Sequence, residues 1–292
     1  MQVQKSFEDE TRGALHVVPT PIGNLEDITY RALKALQGAS IIAAEDTRNT
    51  KKLLNHFDIH VPLISYHAHN QAGREAELIE RLEQGEQVAI VSDAGMPAIS
   101  DPGEEIVKAA ISRDIPVVVL PGANAALCAL VGSGLGAKEF LFYGFLPRKK
   151  KERNEELERL GRHQATLLFY ESPHRLKETL EAIREVLGGR KMAIARELTK
   201  RFEEYVRGTA EELLEWSRAE ELRGEFCLVV EGRQEELAED TEEWWAGLSI
   251  LEHIDHYMSK EGLTSKEAIK ETATDRGMAK RDVYRQYHIE EQ

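Results

Sequence analysis

Four short apolar runs constrain the first 120 residues: Leu15–Val18 (LHVV), Ile41–Ala44 (IIAA), Val88–Val91 (VAIV) and Pro116–Leu120 (PVVVL). His16 apart, they are unbroken, where a strand with one wet face would alternate. Such runs suit strands buried on both faces, the pattern of a parallel sheet. Helical stretches separate them, expected over about Ile28–Gln37, Glu75–Gln84, Ile106–Arg113 and Ala125–Val131, with Asp27 capping the first. Pro62–Tyr66 is a further short strand. Strands alternating with helices predict an α/β domain with a mainly parallel sheet.

Each run breaks into turn residues, most fully at Gln87–Gly103 (QVAIVSDAGMPAISDPG). The carboxyl ends of such strands are where open α/β sheets keep ligands. Asp93 reads as a ligand acceptor, because no helix starts directly after it. Asp101 reads first as the cap of a helix opening at Pro102, and second as a ligand group. Glu45, Asp46, Thr47 and Arg48 follow the second run, either as a salt-bridged turn or as a polar rim over a cleft.

A second α/β region follows. Phe140–Phe145, Thr166–Tyr170, Met192–Ala195, Phe202–Arg207 and Glu225–Glu231 read as strands, and Leu176–Leu187 as a helix. Thr209 with Glu212 makes a capping box for a helix over Ala210–Arg218. Two of these strands end in titratable clusters, which makes Glu171, His174, Arg196, Glu197 and Lys200 candidates for handling charge. The glycines Gly132, Gly134 and Gly136 read as a hinge. Arg148–Arg153 places five basic residues against one acid. That run is a solvated helix start or a contact for a phosphate backbone.

Gln234–Glu243 carries six acids and no base, as an exposed linker would. Three short helices are expected beyond it: one on Leu248, Leu251, Ile254 and Met258, one opened by the Thr264/Glu267 capping box, and one over Arg281–His288. Leu263–His288 holds six Lys/Arg against four Asp/Glu, in a chain of net charge −14. This helix-turn-helix-like tail is read as a nucleic-acid contact or as a packing appendage. The organisation expected is a flexible N-terminus (1–13), an α/β domain (14–133), a second α/β domain (134–233), an acidic linker (234–246) and a helical domain (247–292).

Several classes lose their signals. There is no Gly-x-Gly-x-x-Gly after the first strand and no Walker sequence. His67-Ala68-His69-Asn70 lacks a third ligand at a recognisable spacing, so no metal is expected. No apolar run approaches the roughly 20 residues of a membrane span, and the acidic N-terminus is no signal peptide. A soluble cytoplasmic protein is expected, with Cys128 and Cys227 as buried free thiols. The charge of −14 argues against indiscriminate nucleic-acid binding and leaves room for a local basic patch.

Six strings in order, VPTPIGNL (18–25), EDTR (45–48), VSDAGMPAISDPG (91–103), YESPHR (170–175), RELTK (196–200) and RGMAKRDVY (276–284), resemble the bacterial 16S rRNA ribose-2′-O-methyltransferases. These are tetrapyrrole-methylase-like, class III S-adenosylmethionine enzymes. The resemblance covers the chain beyond the first dozen residues. Met96 stands where that family usually has Thr.

The resemblance implies two α/β domains with S-adenosylmethionine folded between them, S-adenosylhomocysteine as product, and no metal. It implies methyl transfer to a cytidine ribose in the decoding centre of the small ribosomal subunit, by a homodimer that engages no membrane and no DNA. Pro21, Asp93, Ala94, Gly95, Ile99, Ser100, Pro121, Gly122, Ala123, Tyr170 and Ala195 would hold the cofactor. From their places at strand ends, rather than from the resemblance, Glu45, Arg48, Glu171, Arg196, Glu197 and Lys200 are expected to converge on the acceptor hydroxyl. Arg148, Lys149, Lys150, Lys151, Lys280, Arg281 and Arg285 would meet RNA phosphates. Two alternatives use the same features differently: a methylase of a tetrapyrrole or corrin precursor, and a non-catalytic ribosome-binding factor.

Overall fold

In the computed structural model the apolar runs become the strands β1 (Ala14–Val17), β2 (Ile41–Ala44), β3 (Leu63–Ser65), β4 (Gln87–Val91) and β5 (Val117–Val119). The structure describes residues 1–6, 12–67, 70–234, 245, 247–260 and 262–289. His69 and most of the acidic segment lie outside them. The five strands form one sheet in the order β3-β2-β4-β1-β5, and every pairing is parallel.

The helices of this half are α1 (Tyr30–Gly38), α2 (Thr47–His56), α3 (Gln71–Glu83) and α4 (Glu104–Ser112). Successive residues of β2 serve opposite faces. Ile42 and Ala44 pack with Ala32, Leu36 and Leu54 of α1 and α2. Ile41 and Ala43 pack with Leu78, Ile106 and Ala110 of α3 and α4. Helices on both faces are what unbroken apolar strands require.

Local capping differs from expectation at three places. Thr29, not Asp27, caps α1, accepting from the Ala32 N–H at 3.0 Å. Asp27 lies in a one-turn 3₁₀ segment, Leu25–Asp27, that uses up the chain before the helix. The helix α2 was not anticipated; Asp46 caps it, accepting from the Arg48 N–H at 2.8 Å. Gly103, at φ 143°, takes the cap position of α4 without a side-chain bond, so Asp101 does not cap.

The chain continues through α5 (Ala125–Ser133) to β6 (Phe140–Phe145), α6 (Lys150–Leu160), β7 (Thr166–Glu171) and α7 (Leu176–Leu187). It then forms β8 (Lys191–Arg196), β9 (Glu204–Thr209), α8 (Ala210–Ala219) and β10 (Phe226–Val230). This second sheet has the order β6-β7-β10-β8-β9; only β6 and β7 pair in parallel. One face packs on α6, α7 and α8. The other, through Leu168, Ala193, Ala195, Cys227 and Val229, receives Ala126, Ala129 and Leu130 of α5. The three glycines form no single hinge: Gly132 belongs to α5, and Gly134 is its left-handed cap at φ 77°. Cys128 is exposed on α5, against expectation, while Cys227 is buried; both are free thiols. At the chain start, Gln4 exchanges two 2.9 Å hydrogen bonds with the backbone of Val117 on β5.

These elements make one unit, Met1–Arg233; Gln234–Gln292 makes another. The second holds α9 (Ile250–Lys260), α10 (Ser265–Asp275) and α11 (Lys280–Ile289) around Ile254, Ala268, Ile269 and Val283. The Thr264/Glu267 box opens α10 as expected. The Arg276 guanidinium donates to the carbonyls of Trp245, Leu248 and Ser249, closing the start of α9 onto the end of α10.

Candidate active site

The carboxyl ends of β1 and β4 are stitched together by reciprocal 2.9 Å backbone bonds between Thr20 and Gly95, and by the Thr20 hydroxyl donating to the Ser92 carbonyl at 3.1 Å. Gly95 needs its φ of +79° to make that bridge. Pro19 packs on Gly122, where an added Cβ would fall 2.7 Å from the proline ring. On the opposing half, Leu198–Lys200 lies against this turn. The Asn24 N–H donates to the Thr199 hydroxyl at 2.9 Å, and a Cβ on Gly23 would sit 2.5 Å from Lys200 Cγ.

The two halves thereby enclose a cleft. Asp93, Ala94, Gly95, Ile99, Ser100 and Asp101 line one side, and Tyr170, Ala195, Glu197, Lys200, Glu225 and Cys227 line the other. Ile22, Met96, Phe145 and Leu198 add apolar surface. A second cleft shares Ile22, Asp93, Ala94 and Lys200 with the first and extends along Thr20, Pro21, Gly23, Asn49 and Lys52. Pro21, expected at the cofactor, therefore lies in the adjoining cleft. Pro121 and Gly122 line neither cleft; Ala123 approaches the first through its carbonyl, 3.6 Å from where a Gly95 Cβ would be.

Asp93 accepts from the Asp46 N–H at 3.2 Å and from the Asn49 amide at 3.3 Å, so it also anchors the start of α2. Arg48 and Asp46 form the salt-bridged turn, at 2.7 Å; the Arg48 side chain is 86% exposed. Arg48's hydrogen bonds hold the Asp46 carboxyl at about 2. Glu45 is half-buried, and burial, then the Asp93 charge, pushes its carboxyl up.

Strand parity separates the other candidates. Neighbouring residues of a strand face opposite sides. Tyr170 and Ala195 face the cleft side of the second sheet, with Leu168 and Ala193. Glu171 and Arg196, one residue on, turn to the other side. The Glu171 carboxylate accepts from the Thr179 hydroxyl at 2.7 Å and the Ser172 N–H at 2.8 Å, and is fully buried. Arg196 pairs with Glu204 and Glu220 and stacks over Trp216. Both side chains organise the second sheet; Arg196 stays out of the cleft, while Glu171, its carboxylate buried, still forms part of the lining that holds Lys200. Glu197 does: at φ 51° it leaves the strand, its carboxylate takes the Lys200 ammonium at 3.0 Å, and it lies against Gly224.

Asp101 departs from the capping role that Ser-Asp-Pro-Gly suggests and lines the first cleft. Burial first, then the Glu45 charge, raises its carboxyl to about 6. Its loop holds Ala98 and Ser100 at φ 67° and 65°. Such non-glycine conformations cost of order 1 kcal/mol each and gather at functional sites. Burial also pushes the Tyr170 phenol and the Cys227 thiol up to about 12, so both stay neutral. Among the described residues no cluster of His, Cys, Asp and Glu could hold a metal, and no helix is long and apolar enough to cross a membrane.

The basic run is largely paired. Lys149 meets Glu152 at 2.8 Å, Lys150 meets Glu185 at 3.3 Å and Lys151 meets Glu155 at 3.8 Å, while Arg148 is exposed. In the tail, Lys280, Arg281 and Arg285 are exposed on α11, and Arg281 lies 3.6 Å from Asp282.

Residues 14–214 match the family described as tetrapyrrole (corrin/porphyrin) methylases. The chain belongs to that family. Among curated proteins it is 54% identical to ribosomal RNA small subunit methyltransferase I of Bacillus subtilis (strain 168), over 99% of both chains. It is also 54% identical to the protein of that name from Halalkalibacterium halodurans, over 99% of this chain and 100% of the relative. Solved structures agree on the fold. Cobalt precorrin-4 methyltransferase matches 75% of this chain and 94% of its own at a TM-score of 0.58 and 17% identity. Uroporphyrin-III C-methyltransferase from Thermus thermophilus, in complex with S-adenyl homocysteine, matches 75% and 97% at 0.54 and 18%.

Tetrapyrrole methylases use S-adenosylmethionine, and the first cleft fits it. Ile22, Ile99, Met96 and Leu198 offer apolar surface to a flat ring. Asp93, Glu197 and Glu225 suit hydroxyls, an ammonium and a sulfonium.

Proposed function

We propose that this protein methylates the ribose 2′-oxygen of a cytidine in the decoding centre of 16S rRNA, acting in the cytoplasm as a homodimer. Full-length 54% identity to two proteins named ribosomal RNA small subunit methyltransferase I carries the reading. Two adjoining clefts that share Asp93, Ala94 and Lys200 support it, one for each substrate.

S-adenosylmethionine supplies a methyl group already activated on sulfur, so no metal is needed. The chain's part is to align, to exclude water and to manage a proton. Asp93–Gly95, Ile99, Ser100, Tyr170 and Ala195 form the cofactor's walls. The Thr20–Asn24 turn and Asn49 present the acceptor side. A ribose hydroxyl is a weak acid, and Lys200, at the border of the clefts, stabilises the developing negative oxygen. Glu197 orients that ammonium. Phosphate contacts fall to α6 and α11, whose exposed cations stand out in an acidic chain.

The test is chemical. A methylated 2′-oxygen cannot attack the neighbouring phosphate, so the labelled link resists alkali. Recovery of label in one alkali-resistant dinucleotide with a 5′ cytidine is expected. Label in alkali-sensitive nucleotides would contradict the ribose assignment.

A further inference from the structure

The loop Met96–Gly103 does more than wall the cofactor. Its sequence, ending Ser-Asp-Pro-Gly, is that of a helix start, yet the fold spends two left-handed non-glycine residues and a glycine cap to keep Asp101 out of that role. It is wedged against β6, where a Cβ on Gly144 would come within 3.0 Å of Ser100 Oγ. Asp101 instead lines the first cleft, near Asp93, which belongs to both clefts.

Its surroundings are acidic. Glu45 approaches from the end of β2, Asp93 from the end of β4 and Glu225 from the start of β10. Tyr170 of β7 lines the same cleft as a neutral phenol, and the Ser92 hydroxyl donates to the Gly95 carbonyl at 3.3 Å. Lys200 of the same cleft is engaged by Glu197. Asp101 has no ion pair among the described residues. A half-buried carboxylate among other carboxylates, opening on a reaction cleft, binds a proton readily and gives it up near neutrality.

From this geometry we propose that Asp101 is the catalytic proton acceptor for the acceptor hydroxyl. The inference rests on the ribose methylation proposed above. The O–H bond breaks and its proton goes to an Asp101 carboxylate oxygen. The oxygen's electron pair forms the new O–CH₃ bond, and the pair of the broken C–S bond leaves with sulfur. The proton then passes to solvent. Glu45, whose carboxyl is also raised, lines neither cleft, and its charge serves to keep Asp101 basic.

The experiment compares wild type, Asp101→Asn and Glu45→Gln on rRNA that wild type methylates; failure of wild type would strike the ribose reading and not this one. Infrared titration of the ligand-free proteins should find a carboxyl titrating near 6 in wild type and missing from Asp101→Asn. Asp101→Asn should lose about 10²–10⁴-fold in kcat, lose the acid limb of the pH–rate profile, and bind S-adenosylhomocysteine as wild type does. If Asp101→Asn does not fold, Asp101→Ala with added formate should recover activity through the supplied carboxylate. A wild-type rate and limb in Asp101→Asn, loss of the limb only in Glu45→Gln, loss of S-adenosylhomocysteine binding by folded Asp101→Asn, or absence of formate rescue would each overturn the assignment.

Discussion

A carboxyl raised in the folded state costs stability whenever it is ionised. Asp101 titrates near 6 in the fold, above its ordinary 3.8. Between those values the folded chain holds a proton that the unfolded chain has lost, so stability falls as pH rises through the window and stays lower above it. Asp101→Asn removes that penalty. Its melting temperature should exceed wild type's at pH 8 and lose the advantage below pH 4, measured by calorimetry across pH. Lys200→Ala removes the one cation that, among the described residues, both clefts share; kcat should fall about 10²-fold, as for loss of an oxyanion-stabilising donor, with S-adenosylmethionine affinity within a few-fold by titration calorimetry. The sequence made Asp93, Gly95 and Lys200 legible, since each sits at a strand end in a turn-rich string. Arg196 turns away from the cleft and the Glu171 carboxylate is buried at its lining, since each adjoins a cleft residue on the same strand and period-2 alternation forbids both from facing one way. Asp101 was hidden because Ser-Asp-Pro-Gly is equally good chemistry for a cap. Only the φ of 143° at Gly103 moves the helix start two residues on.

Elements were read more surely than side chains. The unbroken apolar strands, the all-parallel first sheet and both capping boxes follow directly from residue pattern. The helix α2 escaped because Thr47–His56 is polar on most of its surface and buries only Thr50 and Leu54. The helix α6 poses a question of role. Its cations Lys149, Lys150 and Lys151 each face a glutamate, and exposed pairs of this kind contribute about 0–1 kcal/mol. Replacing the three lysines by alanine should leave the melting temperature nearly unchanged. It should weaken rRNA binding and lower the slope of log K against log salt by about 0.7–0.9 for each phosphate that the lysines had neutralised. An unaltered salt slope would leave α6 as an ordinary solvated helix.

At the scale of the molecule, the chain divides at Arg233 into the unit that carries both clefts and a three-helix unit with its own small core. All the cleft residues lie before that division, so deleting 234–292 should leave S-adenosylmethionine affinity intact while weakening rRNA engagement several-fold or more. Loss of both would make the tail part of the methylase scaffold. A net charge of −14 keeps the whole from binding nucleic acid at random and leaves recognition to local cations. The measurement that tests the account most directly offers tritiated S-adenosylmethionine and the purified protein three acceptors in parallel: naked small-subunit rRNA, assembled small subunits and a tetrapyrrole precursor. Label in RNA, at one alkali-resistant ribose, is the predicted result. Label in the tetrapyrrole, with none in either form of RNA, would contradict it.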